Sequence, residues 1–594
     1  MYMPVRAPIR IAIMMALVTV GGAIAQTPQP PVTLRVNTQL VQVSVVVRDS
    51  HGDPVADLKQ GDFEVYDSGK RQEIRVFAVE DYRTPQPVSS QLPAPAAPAA
   101  PAVPEFSNRN PIEPGAPNAP TVIVIDAGDT WDPYRMTWAD LVYARDQLVL
   151  FLRQAHPEDR LGIYLMGADR FWVLREYNQN CADLLKRLAT WKSPENPDPA
   201  SAKAKDVWAE FAVHFAGVDA ETAKAMHRSQ FWTHGRESSA VPEELPETRR
   251  SAGTALPAGN GAYRAPGQNG VLGGIEAVAR HLAAVPGRKN IILISGKLFL
   301  PTTFKERLEF LRPIIQAGVT VYTIDPGGLA PYALDASFVI PSKVTAFAPP
   351  GTGDRSALLY IGTAEDTKRQ LMLYVQHSLI DLSEATGGKA FVNTNDIRGA
   401  IHGSLNDSRV SYTLGFYPRT SSNDGSFHPI KVKIPGRDRL SLHFRDGYFE
   451  PAPPQRDPHR RERELQEAVW SPVDATAIEL SGTVFPGAAP DDYDLKLRIG
   501  LASVSLRQNA DRWEGQIEVS LFQRDNSGNA FQPLSNTFGL KLKQDSYERS
   551  LKSGFQYGRQ FRLDLKATSL RIVVRDLGSG SVGTLTIPVS APGL

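Results

Sequence analysis

At 594 residues the chain is too long for a single hydrophobic core, and at roughly 150 residues per domain it should hold about three or four. Its 42% hydrophobic and 22% charged residues are the proportions of an ordinary globular protein. The 65 lysines and arginines nearly balance the 64 aspartates and glutamates, and no basic stripe is interleaved with aromatics, so nothing points to nucleic acid or another polyanion.

In chain order, Arg6 and Arg10 precede an apolar run over 11–20, and a small-x-small pattern closes at Ala25. This reads as an export signal over 1–25, cleaved after Ala25, which makes the product secreted or periplasmic. About 15 apolar residues fall short of the roughly 20 that span a bilayer, so no transmembrane anchor is expected to remain. The single cysteine, Cys181, can form no internal disulfide and has no cysteine partner for a zinc site. A buried, inert thiol is expected.

Residues 32–47 alternate apolar and polar side chains and are rich in β-branched residues, as strands with one solvated face are. RDSHGDPV, from Arg48, then supplies turn chemistry. Asp49, Ser50 and Asp53 lack the closing acidic position of an EF-hand loop, so a hairpin turn is expected rather than a calcium site. Two more strands fall at 62–66 and 73–79. From 84 to 120 the composition turns to proline and alanine, which reads as an extended linker.

TVIVID, from Thr121, carries β-branched apolar residues at 122–125, the pattern of a central parallel strand buried on both faces. It ends on Asp126. Because ligands of open α/β sheets sit outside the carboxyl ends of strands, that carboxylate is a site candidate by position. Trp138, Leu141, Val142, Leu148 and Leu152 recur at helical spacing, followed by strands at 161–166 and 171–177 and a short helix at 182–188. Residues 193–266 form a long insertion of proline, alanine and charge, with Trp208, Phe211 and Phe215 suggesting one helix inside it. Order returns with a helix at 271–284 containing a Gly-Gly pair, a strand at 291–295, a helix at 304–317 and a strand at 320–325. A helix at 367–385, a strand at 389–392 and a helix at 396–408 complete the series. This alternation predicts an α/β, mainly parallel, doubly wound (Rossmann-like) sheet over 121–410.

Residues 411–450 return to period two and look like the missing partners of the first strands, so the α/β domain would be inserted in a β-sandwich built from 32–82 plus 411–450. A charged helical joint at 456–467 leads to a second sandwich over 477–594, where alternation runs throughout.

The segments that carry a family likeness are 40–47 with Gly61-Asp62-Phe63-Glu64-Val65, the strand ending at Asp126, ARHLAAVPGRKNIILISG over 279–296, and SYTLGFYP through GYF. Together they resemble the von Willebrand factor A (VWFA) family, and more closely the VWFA-related secreted proteins of acidobacteria. The likeness covers about 32–450 and leaves the C-terminal region outside. It implies a binding function through a metal-ion-dependent adhesion site with an Asp-x-Ser-x-Ser motif after the first strand, a Thr from a second loop and an Asp after the fourth strand. Here Asp126 and Thr130 match, Gly128 has no hydroxyl, and Gly296 stands where the later Asp is expected. Asp129, Asp132 and Asp325 are carboxylates that could reach the same edge. Mg²⁺ demands near-octahedral oxygen, so this degenerate set predicts no standard metal and no cofactor, with a divalent cation entering only through a variant site. The alternative role for these carboxylates is capping of helix N-termini.

No G-x-S-x-G, H-E-x-x-H or Walker loop is present. His377 and His402 fall on helices without a paired ligand at i+4. A Ser-His-Asp triad assembled from distant segments is recognised by geometry alone. The sequence therefore predicts an exported, non-enzymatic binding or adhesion protein. Its partner would be a protein or a cell-surface or envelope component. Trp208, Phe211, Phe231 and Trp232 are candidate anchors, and the sandwiches would act as spacers. An exported hydrolase with an unrecognised site and a structural envelope component are the alternatives.

Overall fold

The computed structural model describes residues 40–81, 105–109, 119–126, 138–155, 159–166, 171–177, 270–296, 298–328, 364–419, 424–450, 458–489, 491–525 and 530–589. The expected export signal over 1–25, the part of the first expected strand before residue 40, Cys181, the expected helix at 182–188 and the expected insertion at 193–266 with its aromatics lie outside the described residues.

The central sheet has six strands in the order Ala390–Phe391, Val319–Ile324, Lys289–Ile294, Thr121–Asp126, Leu161–Met166 and Phe171–Arg175. All neighbours are parallel except the last, which runs antiparallel to Leu161–Met166. Every residue of the four inner strands is buried. The cause is cover on both faces, since successive side chains of a strand point to opposite sides. Val122, Val124, Ile291, Leu293 and Val321 meet the helices Gly270–Leu282, Phe304–Gln316 and Ala364–Thr386. Ile123, Ile125, Ile163, Ile292 and Ile294 meet Trp138–Leu152 and Ile397–Arg409. Each such aliphatic side chain contributes about 1.5–3 kcal/mol by leaving water.

The strand expected from 291 begins two residues earlier, at Lys289. Its first residues are polar, so hydropathy does not mark them, yet the Asn290 N–H donates to Pro120 O at 3.0 Å and Lys289 Nζ reaches Val285 O at 2.7 Å. Helix starts follow capping chemistry. Thr303 accepts from the Glu306 N–H, and Asp396 from the Gly399 N–H at 2.7 Å.

Strands on either side of the α/β region pair with one another. Val41–Arg48 lies between Ser441–His443 and Val410–Phe416, with Val76–Asp81 outside the latter. A second sheet runs Gly447–Phe449, Phe427–Lys433, Glu64–Asp67, Lys70–Gln72. Both are antiparallel, and Val43, Val45, Phe63, Val65, Tyr412, Leu414, Ile430 and Val432 share one core. The turn after Arg48 is organised by Asp49, whose carboxylate accepts from the N–H groups of His51 at 2.8 Å and Asp53 at 2.9 Å.

Past the helix Pro458–Trp470, two further antiparallel sheets enclose a core that includes Leu480, Leu497, Ile517, Val519, Leu570, Ile572 and Leu585. Alternation does not run throughout. Gln544–Ser553 is a helix, rich in good helix formers, on which Tyr547 stacks against Trp513 with ring centroids 4.3 Å apart. The edge of one sheet is completed from the proline- and alanine-rich stretch: Phe106–Ser107 pairs with Gly482 and Ser481. Beside it the buried Asn108 side chain donates to Ala475 O and Ile478 O, both at 2.9 Å, and accepts from the Leu480 N–H at 2.8 Å. The chain is thus a multidomain α/β protein with one mixed sheet and several antiparallel ones. Among the described residues no helix is long and apolar enough to cross a membrane.

Candidate functional site

After Thr121–Asp126 the chain builds outward to Leu161–Met166, and it later returns to the opposite side of the same strand with Lys289–Ile294. Strand order therefore reverses between Thr121–Asp126 and Lys289–Ile294. Such a reversal splays the connecting segments apart and leaves a crevice at the carboxyl ends. Asp126, 1% exposed, closes the first of these strands, and the fully buried Ser295 follows the second. The Ser295 hydroxyl donates to Asp126 Oδ2 at 2.7 Å, so the two residues are joined across the reversal point.

One strand further on, Asp325 follows Val319–Ile324. Its carboxylate accepts from the Gly327 N–H at 3.0 Å and from the Gln376 amide at 3.1 Å, and Gln376 also donates to Asn393 Oδ1 at 3.0 Å. Burial pushes the Asp325 carboxyl up, and the Asp140 charge adds to that, while the Gly327 and Gln376 donors pull the other way. Tyr143, from the first helix, donates to Asn395 O at 2.5 Å. Phe304 opens the helix that returns from this end of the sheet and is 73% exposed.

The structure thus places Asp126 and Asp325 at the ends of strands separated by Lys289–Ile294. Gly128, Asp129, Thr130 and Asp132 lie outside the described residues. Ser295 escaped the sequence reading, which looked for a carboxylate at Gly296. Its signal was its place directly after the apolar run IILI, level with the end of the central strand. Asp325 takes an N–H two residues on, which is the bond of a local turn, and no described helix starts there for it to cap. Asp126 accepts instead from a neighbouring strand. An octahedral Mg²⁺ site needs six oxygens. Among the described residues Asp126 and Ser295 are joined directly, Asp325 accepts from an amide and an N–H, and no group of three His, Cys, Asp or Glu could hold a metal. These described donors do not make such a site by themselves.

A second polar constellation lies in the first antiparallel module. The His428 ring has Nδ1 3.3 Å from Asp67 Oδ1 and Nε2 3.2 Å from both Ser426 Oγ and Glu450 Oε1. Asp67 also accepts from Tyr448 Oη and Ser68 Oγ, each at 3.0 Å. Sequence reading passed over these residues because Asp67 and His428 are 361 positions apart.

No protein-family model matches the chain, and no curated protein matches it.

Proposed function

We propose that this chain is an exported binding protein. In this reading its α/β domain is of the von Willebrand factor A type, set in one β-sandwich and followed by another, and engages a protein or envelope-surface partner at the carboxyl edge of the central sheet. The observation that carries the reading is the Asp126–Ser295 bond at the strand reversal. A carboxylate buried there costs desolvation free energy that an apolar strand end would avoid, which fits a retained site better than simple packing. Phe304, largely exposed at the start of the helix that follows the Lys289–Ile294 strand, offers an aromatic anchor at this end of the sheet.

The test compares wild type with Asp126→Asn, Phe304→Ala and a remote control, Leu565→Ala, whose side chain is 77% exposed. Each is presented to solubilised envelope of the producing organism, once with Mg²⁺ and once with a chelator. A partner held by wild type and by the control but lost by both edge variants, with all melting temperatures alike, supports the reading. Recovery of the same partner by Asp126→Asn sinks it. A melting temperature that rises with Mg²⁺ or Mn²⁺ in wild type and not in Asp126→Asn would add a cation to the edge, because a ligand that binds only the folded state stabilises it.

A further inference from the structure

Away from the central sheet, Ser426, His428 and Asp67 stand in the order that nucleophilic catalysis requires: a hydroxyl against an imidazole, and the imidazole against a carboxylate. We propose that they form a hydrolytic site acting on acyl esters. Ser426 immediately precedes the strand Phe427–Lys433 and His428 lies two residues on, so strand periodicity puts both side chains on one face. Asp67 ends Glu64–Asp67, and its register against Ile430 brings its carboxylate beside the ring.

Asp67 is 6% exposed and is held by the Tyr448 and Ser68 hydroxyls, so it acts as a positioning residue. By accepting from Nδ1–H it leaves Nε2 to receive a proton. Ser426 Oγ, 3.2 Å from that nitrogen, belongs to an exposed residue. In the reaction Oγ bonds to the ester carbonyl carbon as its proton passes to Nε2. The tetrahedral oxyanion collapses with loss of the alcohol, which takes the proton from Nε2. Water then repeats the sequence on the acyl-serine and releases the acid. Glu450, 2% exposed and 3.2 Å from Nε2, is a second anion facing the imidazolium formed. Arg312 donates to Gly425 O at 3.0 Å and so fixes the peptide that precedes the nucleophile.

The fold carries its own comparison. Ser441 Oγ also lies 3.2 Å from His443 Nε2, again two residues apart on a strand. Among the described residues His443 has no hydrogen bond to a carboxylate, so the two carboxylates Asp67 and Glu450 are what separate the two pairs.

The experiment treats the full chain with a fluorophosphonate, whose phosphorus is attacked by an activated serine with loss of fluoride, and measures p-nitrophenyl acetate hydrolysis in parallel. Labelling is expected at Ser426 and not at Ser441. Ser426→Ala, at an exposed position, should keep the wild-type melting temperature and abolish both signals, and Ser441→Ala should change neither. Asp67→Asn should lower kcat by about 10²-fold or more at unchanged KM, with partial recovery in Asp67→Glu. Equal labelling of the two serines, or hydrolysis that survives Ser426→Ala, overturns the proposal and leaves the cluster as a structural clasp.

Discussion

Glu276→Gln should remove a pH-dependent weakness from the junction between the α/β domain and the C-terminal region. Glu276, on the helix Gly270–Leu282, is 8% exposed and accepts from Arg280 Nη2 at 3.1 Å, while the same nitrogen donates to Glu467 on Pro458–Trp470 at 3.1 Å. Burial raises its pKa from 4.5 to about 7, with Glu467 adding to the rise and Arg280 opposing it. A carboxyl raised on folding favours the folded state fully below its unfolded value and loses that contribution as pH climbs through the folded one. Between pH 4.5 and 7 the loss amounts to about 3 kcal/mol. His281 works in the same direction at a neighbouring window. Burial lowers its pKa, but Glu176 and the Asp474 carbonyl outweigh that and leave it raised, so its contribution is present below 6.5 and is lost above. Both proteins carry His281, so its part cancels between them. Urea unfolding at pH 5 and pH 8 should therefore show the variant gaining on wild type by about 2–3 kcal/mol at the higher pH. A wild-type-to-variant difference that is the same at both pH values would refute the assignment of this titration to Glu276.

Two further substitutions probe tight places in the fold. At Gly388 an added methyl would overlap the Val321 carbonyl, which is backbone and cannot swing aside, so Gly388→Ala should destabilise by about 1–3 kcal/mol, seen as a lower melting temperature. An unchanged melting temperature would mean that the segment has room to shift. Asn108→Ala removes three hydrogen bonds at 2.8–2.9 Å and leaves buried backbone groups without that partner, for a loss of about 2–4 kcal/mol. Limited proteolysis should then cut the 84–118 stretch faster than in wild type, and equal rates would show that Phe106–Ser107 holds its sheet edge without Asn108.

The α/β alternation was legible because its physical cause is local. Strands covered on both faces are built mainly from apolar and β-branched side chains, and VIVI within TVIVID, IILI within KNIILI, and VTVYTI show this within a few residues. Asp126 was legible for the same reason, being the first polar residue after such a run. Ser295 follows the same rule but was overshadowed by the search for a carboxylate one residue later. What local pattern could not reveal was any partner set by register between distant strands. Asp67 faces His428 only because Glu64–Asp67 pairs with Phe427–Lys433 in one register. The pairing of Phe106–Ser107 likewise depends on Leu480–Pro486, and a composition of proline and alanine gives no hint of it.

The same limit applies to the seams between modules, where the spacer reading meets its main difficulty. Arg48, on the first strand, donates to Asp407 Oδ1 at 2.5 Å and to Gly403 O at 2.9 Å on Ile397–Arg409. Arg288 joins Ser44 Oγ at 3.0 Å to Tyr322 Oη at 2.9 Å, and Arg445 joins Ile315 O at 3.0 Å to Gln42 O at 2.7 Å. On the C-terminal side Thr476 Oγ1 donates to His281 O at 2.7 Å and accepts from the Ala284 N–H at 3.0 Å. Guanidinium forks suit such seams because one planar group satisfies acceptors from two elements at once. Separating the modules would exchange these bonds for bonds to water and give up the relative placement they fix. A spacer needs no such bonds. The antiparallel modules are therefore better read as the frame that fixes the helices around the Asp126 edge, with Ile397–Arg409 running directly into the strand Val410–Phe416.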